Sequence, residues 1–142
     1  MLKKILLSVV SLIVLSACSA QQAKPSTDVT VEMTDFAYSP SSITVPVDQP
    51  VTFTIKNTGN IEHDFVVEEI DATSTLVMDS GSETHHAHGE EQNYDLHVSA
   101  GTGEESVFQL TIIDPGTYKV FCSVEGHEAA GMVGELIVLD QQ

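Results

Sequence analysis

The 142-residue sequence predicts an all-β domain, a two-sheet Greek-key β-sandwich of about eight strands. Three observations predict it. Short segments alternate apolar and polar residues with a period of two. Turn-forming residues separate those segments at regular intervals. No stretch shows apolar residues at helical period between capping residues.

The strands follow in order. Val29-Thr30-Val31-Glu32-Met33 alternates, and Ile43-Thr44-Val45-Pro46-Val47 is β-branched. Val51-Thr52-Phe53-Thr54-Ile55-Lys56 alternates with its apolar side on the odd positions. Ser39-Pro40, Asp48-Gln49-Pro50 and Asn57-Thr58-Gly59-Asn60 supply turns between them. Further strands are expected over Ile61–Ile70, Tyr94–Ser99, Val107–Ile112, Thr117–Cys122 and Val133–Leu139. About eight strands with such turns suit a sandwich with Greek-key connections. There is no internal repeat.

Residues 1–17 stand outside that pattern. Lys3 and Lys4 precede an apolar run from Ile5 to Leu15, and Leu15-Ser16-Ala17-Cys18 follows. A basic start, a short apolar core and small residues at a cleavage point make a secretory signal. The run is too short for a comfortable membrane span. Cysteine directly after Leu-Ser-Ala resembles a bacterial lipobox, in which Cys18 is lipidated and becomes the new N-terminus. The expected organisation is a signal peptide over 1–17, a lipidated flexible tether over 18–27 and one domain over 28–142. The location is then extracytoplasmic, with the domain held to a membrane by lipid. With Cys18 acylated, Cys122 is the one thiol left in the domain, so no internal disulfide can form. A lone thiol in an oxidising compartment needs something to hold it, and a metal would do so.

Charge narrows the partners. Without residues 1–17 the chain has 3 Lys and no Arg against 21 Asp and Glu, a formal charge of −18. Nothing here could neutralise phosphates, which excludes nucleic acid. Such a field would steer a basic protein partner; acidity kept for solubility alone is the competing reading.

The chemistry concentrates near the C-terminus. Cys122, His127 and Met132 follow one another at five-residue steps, at the end of the apolar segment Tyr118-Lys119-Val120-Phe121. His63 lies on another strand-like segment, where it shares a face with Phe65 and Val67. Two imidazoles, one thiolate and a weak axial thioether form the donor set of blue-copper sites. Cu(I) favours soft sulfur and Cu(II) favours imidazole nitrogen, so this mixed set suits both and little moves on electron transfer. Cys122 must bind as the thiolate, and an adjacent metal lowers a thiol pKa enough for that.

On these residues the chain resembles the cupredoxins, type 1 copper proteins, of the plastocyanin and auracyanin-like group. The resemblance spans roughly residues 28 to 139. It is most specific at His63-Asp64-Phe65 and from Asp114-Pro115-Gly116-Thr117-Tyr118 through Met132 to Val138. It implies a cupredoxin-like sandwich holding one copper ion, with His63, Cys122 and His127 equatorial and Met132 axial. It also implies electron exchange at the exposed edge of His127, where Gly126, Ala129, Ala130 and Gly131 are small enough for close approach. Two positions depart from the family pattern. Glu125-Gly126 stands where many relatives have Pro-Gly, and Asp64 stands where the family often has Asn, with Ser123 as its expected partner.

Between Asp71 and Asp95 the strand pattern loosens into a polar insertion that contains His85, His86 and His88 beside Glu90 and Glu91. One reading is a mobile, solvated loop; the other is a weak secondary site for copper or zinc. His97 is expected to be a strand residue rather than a ligand.

The functional expectation is a membrane-tethered, one-electron copper carrier between redox proteins, with no small-molecule substrate. No nucleophile–base pair suggests an enzyme. The alternative is copper capture or delivery.

Overall fold

The computed structural model describes residues 24–79 and 94–140. Cys18 and the expected signal, the first part of the tether, and His85, His86 and His88 lie outside the described residues. Within them the chain forms ten strands and no helix.

The strands are β1 (Asp28–Thr34), β2 (Ala37–Ser39), β3 (Ser42–Pro46), β4 (Pro50–Asn57) and β5 (His63–Val67). They continue as β6 (Ala72–Asp79), β7 (Leu96–Ala100), β8 (Glu105–Ile112), β9 (Gly116–Phe121) and β10 (Val133–Leu139). One five-stranded sheet runs β2-β1-β4-β8-β6 and the other β3-β10-β9-β5-β7. The chain therefore changes sheet repeatedly, which is the Greek-key arrangement the alternation predicted. Two pairs are parallel, β1 with β4 and β10 with β3.

Two strands go beyond the expected eight. Ala37–Ser39 is short enough that its flanking turn residues mask it; only its hairpin pairing with β1 makes it a strand. Ala72–Asp79 corrects the reading that the polar insertion begins at Asp71. Thr73, Ser74 and Thr75 give it a polar appearance, yet Ala72 to Asp79 pair with Ile112 to Ser106 across an irregularity between Leu76 and Met78. The strand expected over Ile61–Ile70 contracts to His63–Val67.

Alternation becomes core where the sheets face each other. In β1 the residues Val29, Val31 and Met33 are buried while their neighbours are exposed, and β4 buries Val51, Phe53 and Ile55. Phe53 stacks on Phe108 at 5.2 Å between centroids and leans on Phe65, which meets Tyr38 edge-on at 5.9 Å. Each fully buried side chain of this kind contributes about 1.5–3 kcal/mol. β5 differs, because all five of its residues are buried. It lies between β9 and β7, so the metal-ligand candidate His63 starts from the most enclosed strand of its sheet.

Candidate metal centre

Strand register assembles the centre at one end of the sandwich. Val133 pairs with Phe121 across β9 and β10. One step beyond that pair, Cys122 faces Met132, and the Cys122 amide donates to the Met132 carbonyl at 3.2 Å. On the other side of β9, Val66 pairs with Phe121, and continuing that antiparallel register brings Asp64 opposite Ser123. His63 follows at the mouth of β5. Residues 59 positions apart in the chain thus meet because three strands share one sheet.

The loop from Cys122 to Met132 is closed by its own backbone. The His127 amide donates to the Val124 carbonyl, Ala130 to Gly126, Gly131 to Glu128 and Met132 to His127, all at 2.9–3.0 Å. Gly126 sits at φ +83°, directly before His127. That left-handed conformation suits glycine and disfavours residues with a Cβ. With Glu125 before it, the turn relies on Gly126 and these hydrogen bonds.

The four candidate ligands are buried: His63 0%, Cys122 1%, His127 6% and Met132 0% exposed. One ligand atom from each of His63, Cys122 and His127 lies within 4.8 Å of the others. Nδ1 of His63 is 3.2 Å from Nδ1 of His127, and Nδ1 of His127 is 3.3 Å from Cys122 Sγ. The two imidazoles therefore turn the same ring nitrogen toward each other, and that of His127 also meets the thiol.

Electrostatics fit a cation there. Burial pushes the Cys122 thiol up from its ordinary value, against backbone N–H groups of Asp64 and Val124 that favour the thiolate. Sulfur poised between those influences becomes a thiolate when a metal charge is added. Soft sulfur with two imidazoles in a closed pocket selects copper over magnesium or calcium, which want oxygen donors.

Asp64 is held from all sides. Ser123 Oγ donates to its Oδ2 in a short bond, Ser99 Oγ donates to Oδ1 at 2.7 Å, and His97 Nε2 lies 3.3 Å from Oδ2. Burial raises its carboxyl, but the hydrogen bonds from His97, Ser123 and Ser99 outweigh that and hold it below the usual range. The Tyr38 hydroxyl donates to the Asp64 carbonyl at 2.5 Å. Its own ionisation is pushed far up by burial, then by the nearby Cys122 and Asp64 charges.

Sequence reading missed several supports. Asn57 Nδ2 donates to the Ile61 and Ala100 carbonyls, and its Oδ1 accepts from the Gly59 amide, which ties the segment entering His63 to β7. Phe36 meets the His127 ring edge-on at 5.1 Å, and Asp35 lies beside His63. His97 is a strand residue, as expected, but its ring partners Asp64. A polar residue at a turn is the only trace of Asp35 and Asn57 in the sequence, and many turns share it.

A β-sandwich with a buried His–Cys–His cluster at the mouth of one sheet defines a class of metalloprotein, and comparison with known proteins gives the family. Residues 5–100 match the cupredoxin-like domain family. The chain is 33% identical over 120 residues to the copper-resistant cuproprotein CopI of Rubrivivax gelatinosus, a match spanning 82% of this chain and 68% of that one. This protein belongs to the cupredoxin-like family, and its cofactor is copper. Among solved structures, it is similar to dithionite-reduced auracyanin from Roseiflexus castenholzii, with a TM-score of 0.61 and 23% identity over 82% of this chain and 99% of that one. It also resembles part of a multicopper oxidase from Campylobacter jejuni, with a TM-score of 0.58 and 13% identity over 86% of this chain and 31% of the oxidase. At those identities the likeness is one of fold.

Proposed function

We propose that this protein is a membrane-tethered type 1 copper protein that carries single electrons between redox proteins, with His63, Cys122 and His127 as equatorial ligands and Met132 axial. The observation that carries this reading is the buried cluster of His63, Cys122 and His127, whose ligand atoms lie within 4.8 Å of one another, with His127 Nδ1 3.2 Å from His63 Nδ1 and 3.3 Å from Cys122 Sγ. Copper supplies a one-electron couple, Cu(II) to Cu(I), and each electron gained is lost by a donor protein.

The chain's own residues do the rest. The closed 122–132 loop and the buried β5 fix the donors, so that little rearranges between oxidation states. Burial of all four keeps water from the thiolate. Gly126, Ala129, Ala130 and Gly131 are exposed around the buried His127, which leaves room for a partner to approach that ring. Acidic charge favours a partner with a basic docking surface. On this reading the protein transforms no small molecule, and its lipid at Cys18 places it on the extracytoplasmic face of a membrane.

A visible spectrum of the full chain with added Cu(II) tests the ligand set. An intense blue band that Cys122→Ser abolishes is the expected result; a colourless protein, or absorption that survives the substitution, overturns it.

The relative named for copper resistance supports a second reading, copper capture or delivery. Competition with a Cu(I) chelator separates the two. A carrier retains its copper for hours and shows a reversible potential, whereas a delivery protein exchanges its metal within minutes.

A further inference from the structure

The two-residue turn between β1 and β2 reaches toward both histidines. Thr34 pairs with Ala37, so Asp35 and Phe36 make the whole turn. Phe36 has φ 68° and is 43% exposed. A bulky aromatic in the left-handed region is a true outlier, and such strain is kept where surrounding structure requires it. Here the turn puts the Phe36 ring edge-on to His127 and the Asp35 carboxylate beside His63.

Asp35 is oriented before it meets the histidine. Its Oδ1 accepts from the Asn60 amide at 2.8 Å and its Oδ2 from the Asn60 side chain at 2.7 Å. Those hydrogen bonds, the side-chain one first, hold its carboxyl below the usual range. Oδ1 then lies 3.4 Å from His63 Nε2, the ring nitrogen opposite the one that meets His127. A neutral imidazole carries its proton on one nitrogen, and a carboxylate only accepts. A proton on Nε2 would complete that pairing and leave the Nδ1 lone pair, 3.2 Å from His127 Nδ1, for a metal.

Gly59 shows that the space is built for this contact. A Cβ there would come within 2.6 Å of Asp35 Oδ1 and 2.9 Å of His63 Nε2. Any larger residue would wedge the pair apart.

We infer that Asp35 is a positioning residue for copper ligation, its carboxylate selecting the His63 tautomer and orientation that present Nδ1 to the metal. The inference rests on His63 being a ligand, as proposed above. Carboxylates behind ligating histidines orient the ring and raise its basicity, and their loss costs about 10–100-fold in metal affinity. Cu(II) depends more on imidazole than Cu(I) does, so the loss should fall mainly on the oxidised state.

The test is Cu(II) affinity, by chelator competition, and reduction potential in the full chain for Asp35→Ala, Asp35→Asn and Gly59→Ala. Apoprotein melting serves as the stability control. Asp35→Ala should lower Cu(II) affinity about 10–100-fold. Each tenfold confined to Cu(II) raises the potential by about 59 mV. Asp35→Asn, which keeps an acceptor oxygen, should fall between Asp35→Ala and the parent. Gly59→Ala should act in the same sense with the carboxylate still present. In the Cu(I) protein, nitrogen-15 NMR should find the His63 proton on Nε2. A blue parent protein with unchanged affinity and potential in these variants overturns the inference and leaves the ligand set standing. A parent that takes up no copper overturns both. Should Asp35→Ala fail to fold, Asp35→Asn and Gly59→Ala decide by the same readings.

Discussion

At the scale of single residues, Asp64 is buried and held by three neighbouring side chains. A carboxylate beside His63, with Ser99, Ser123 and His97 around it, favours Cu(II) over Cu(I) by its negative charge. Asp64→Asn should raise the reduction potential, as voltammetry would show, while keeping the blue band. Asp64→Ala strips acceptors from two hydroxyls and should cost the apoprotein about 1.5–3 kcal/mol in denaturant unfolding. Met132 sits opposite Cys122 in the strand register and is fully buried. On the ligation proposed above Met132 is axial, and axial ligands tune type 1 potentials, so Met132→Leu should shift the potential upward with the thiolate absorption retained. The candidate donors were legible in the sequence because five-residue steps of Cys, His and Met are chemically distinctive. Asp35, Ser99 and His97 were not, since Asp, Ser and His occur on many turns and strands without a metal nearby.

At the scale of elements, the site depends on how three strands end together. Asn57 closes β4 and holds the carbonyls of Ile61 and Ala100 while it accepts from Gly59. Asn57→Ala leaves the buried Ala100 carbonyl without its side-chain donor, at about 1–3 kcal/mol. It should lower the apoprotein unfolding midpoint and loosen the 58–62 segment, which faster amide exchange there would reveal. The 122–132 loop presents its small residues outward. Ala130→Glu should slow electron transfer to a partner severalfold in stopped-flow with the copper spectrum unchanged; equal rates would move the port elsewhere. β6 shows where pattern reading stops. Threonine and serine gave Ala72–Asp79 the look of a loop, and only pairing with β8 makes it a strand.

For the molecule as a whole, the formal charge of −16 on 142 residues reaches only as far as salt allows. The screening length is about 10 Å at 0.1 M and about 3 Å at 1 M. Association with a basic redox partner should therefore slow by an order of magnitude or more across that range, whereas intramolecular properties such as the blue band should not change. A rate indifferent to salt would assign the acidity to solubility. By itself the sequence determined the sandwich, because period-two alternation is a local property of each strand. It also singled out the candidate donors, because copper's preference for sulfur and imidazole is written in residue types. Register and support were decided only in three dimensions. Which carboxylate stands behind His63, which serines hold Asp64 and which turn touches His127 depend on residues brought together from distant strands, and no local pattern of residues encodes such pairings.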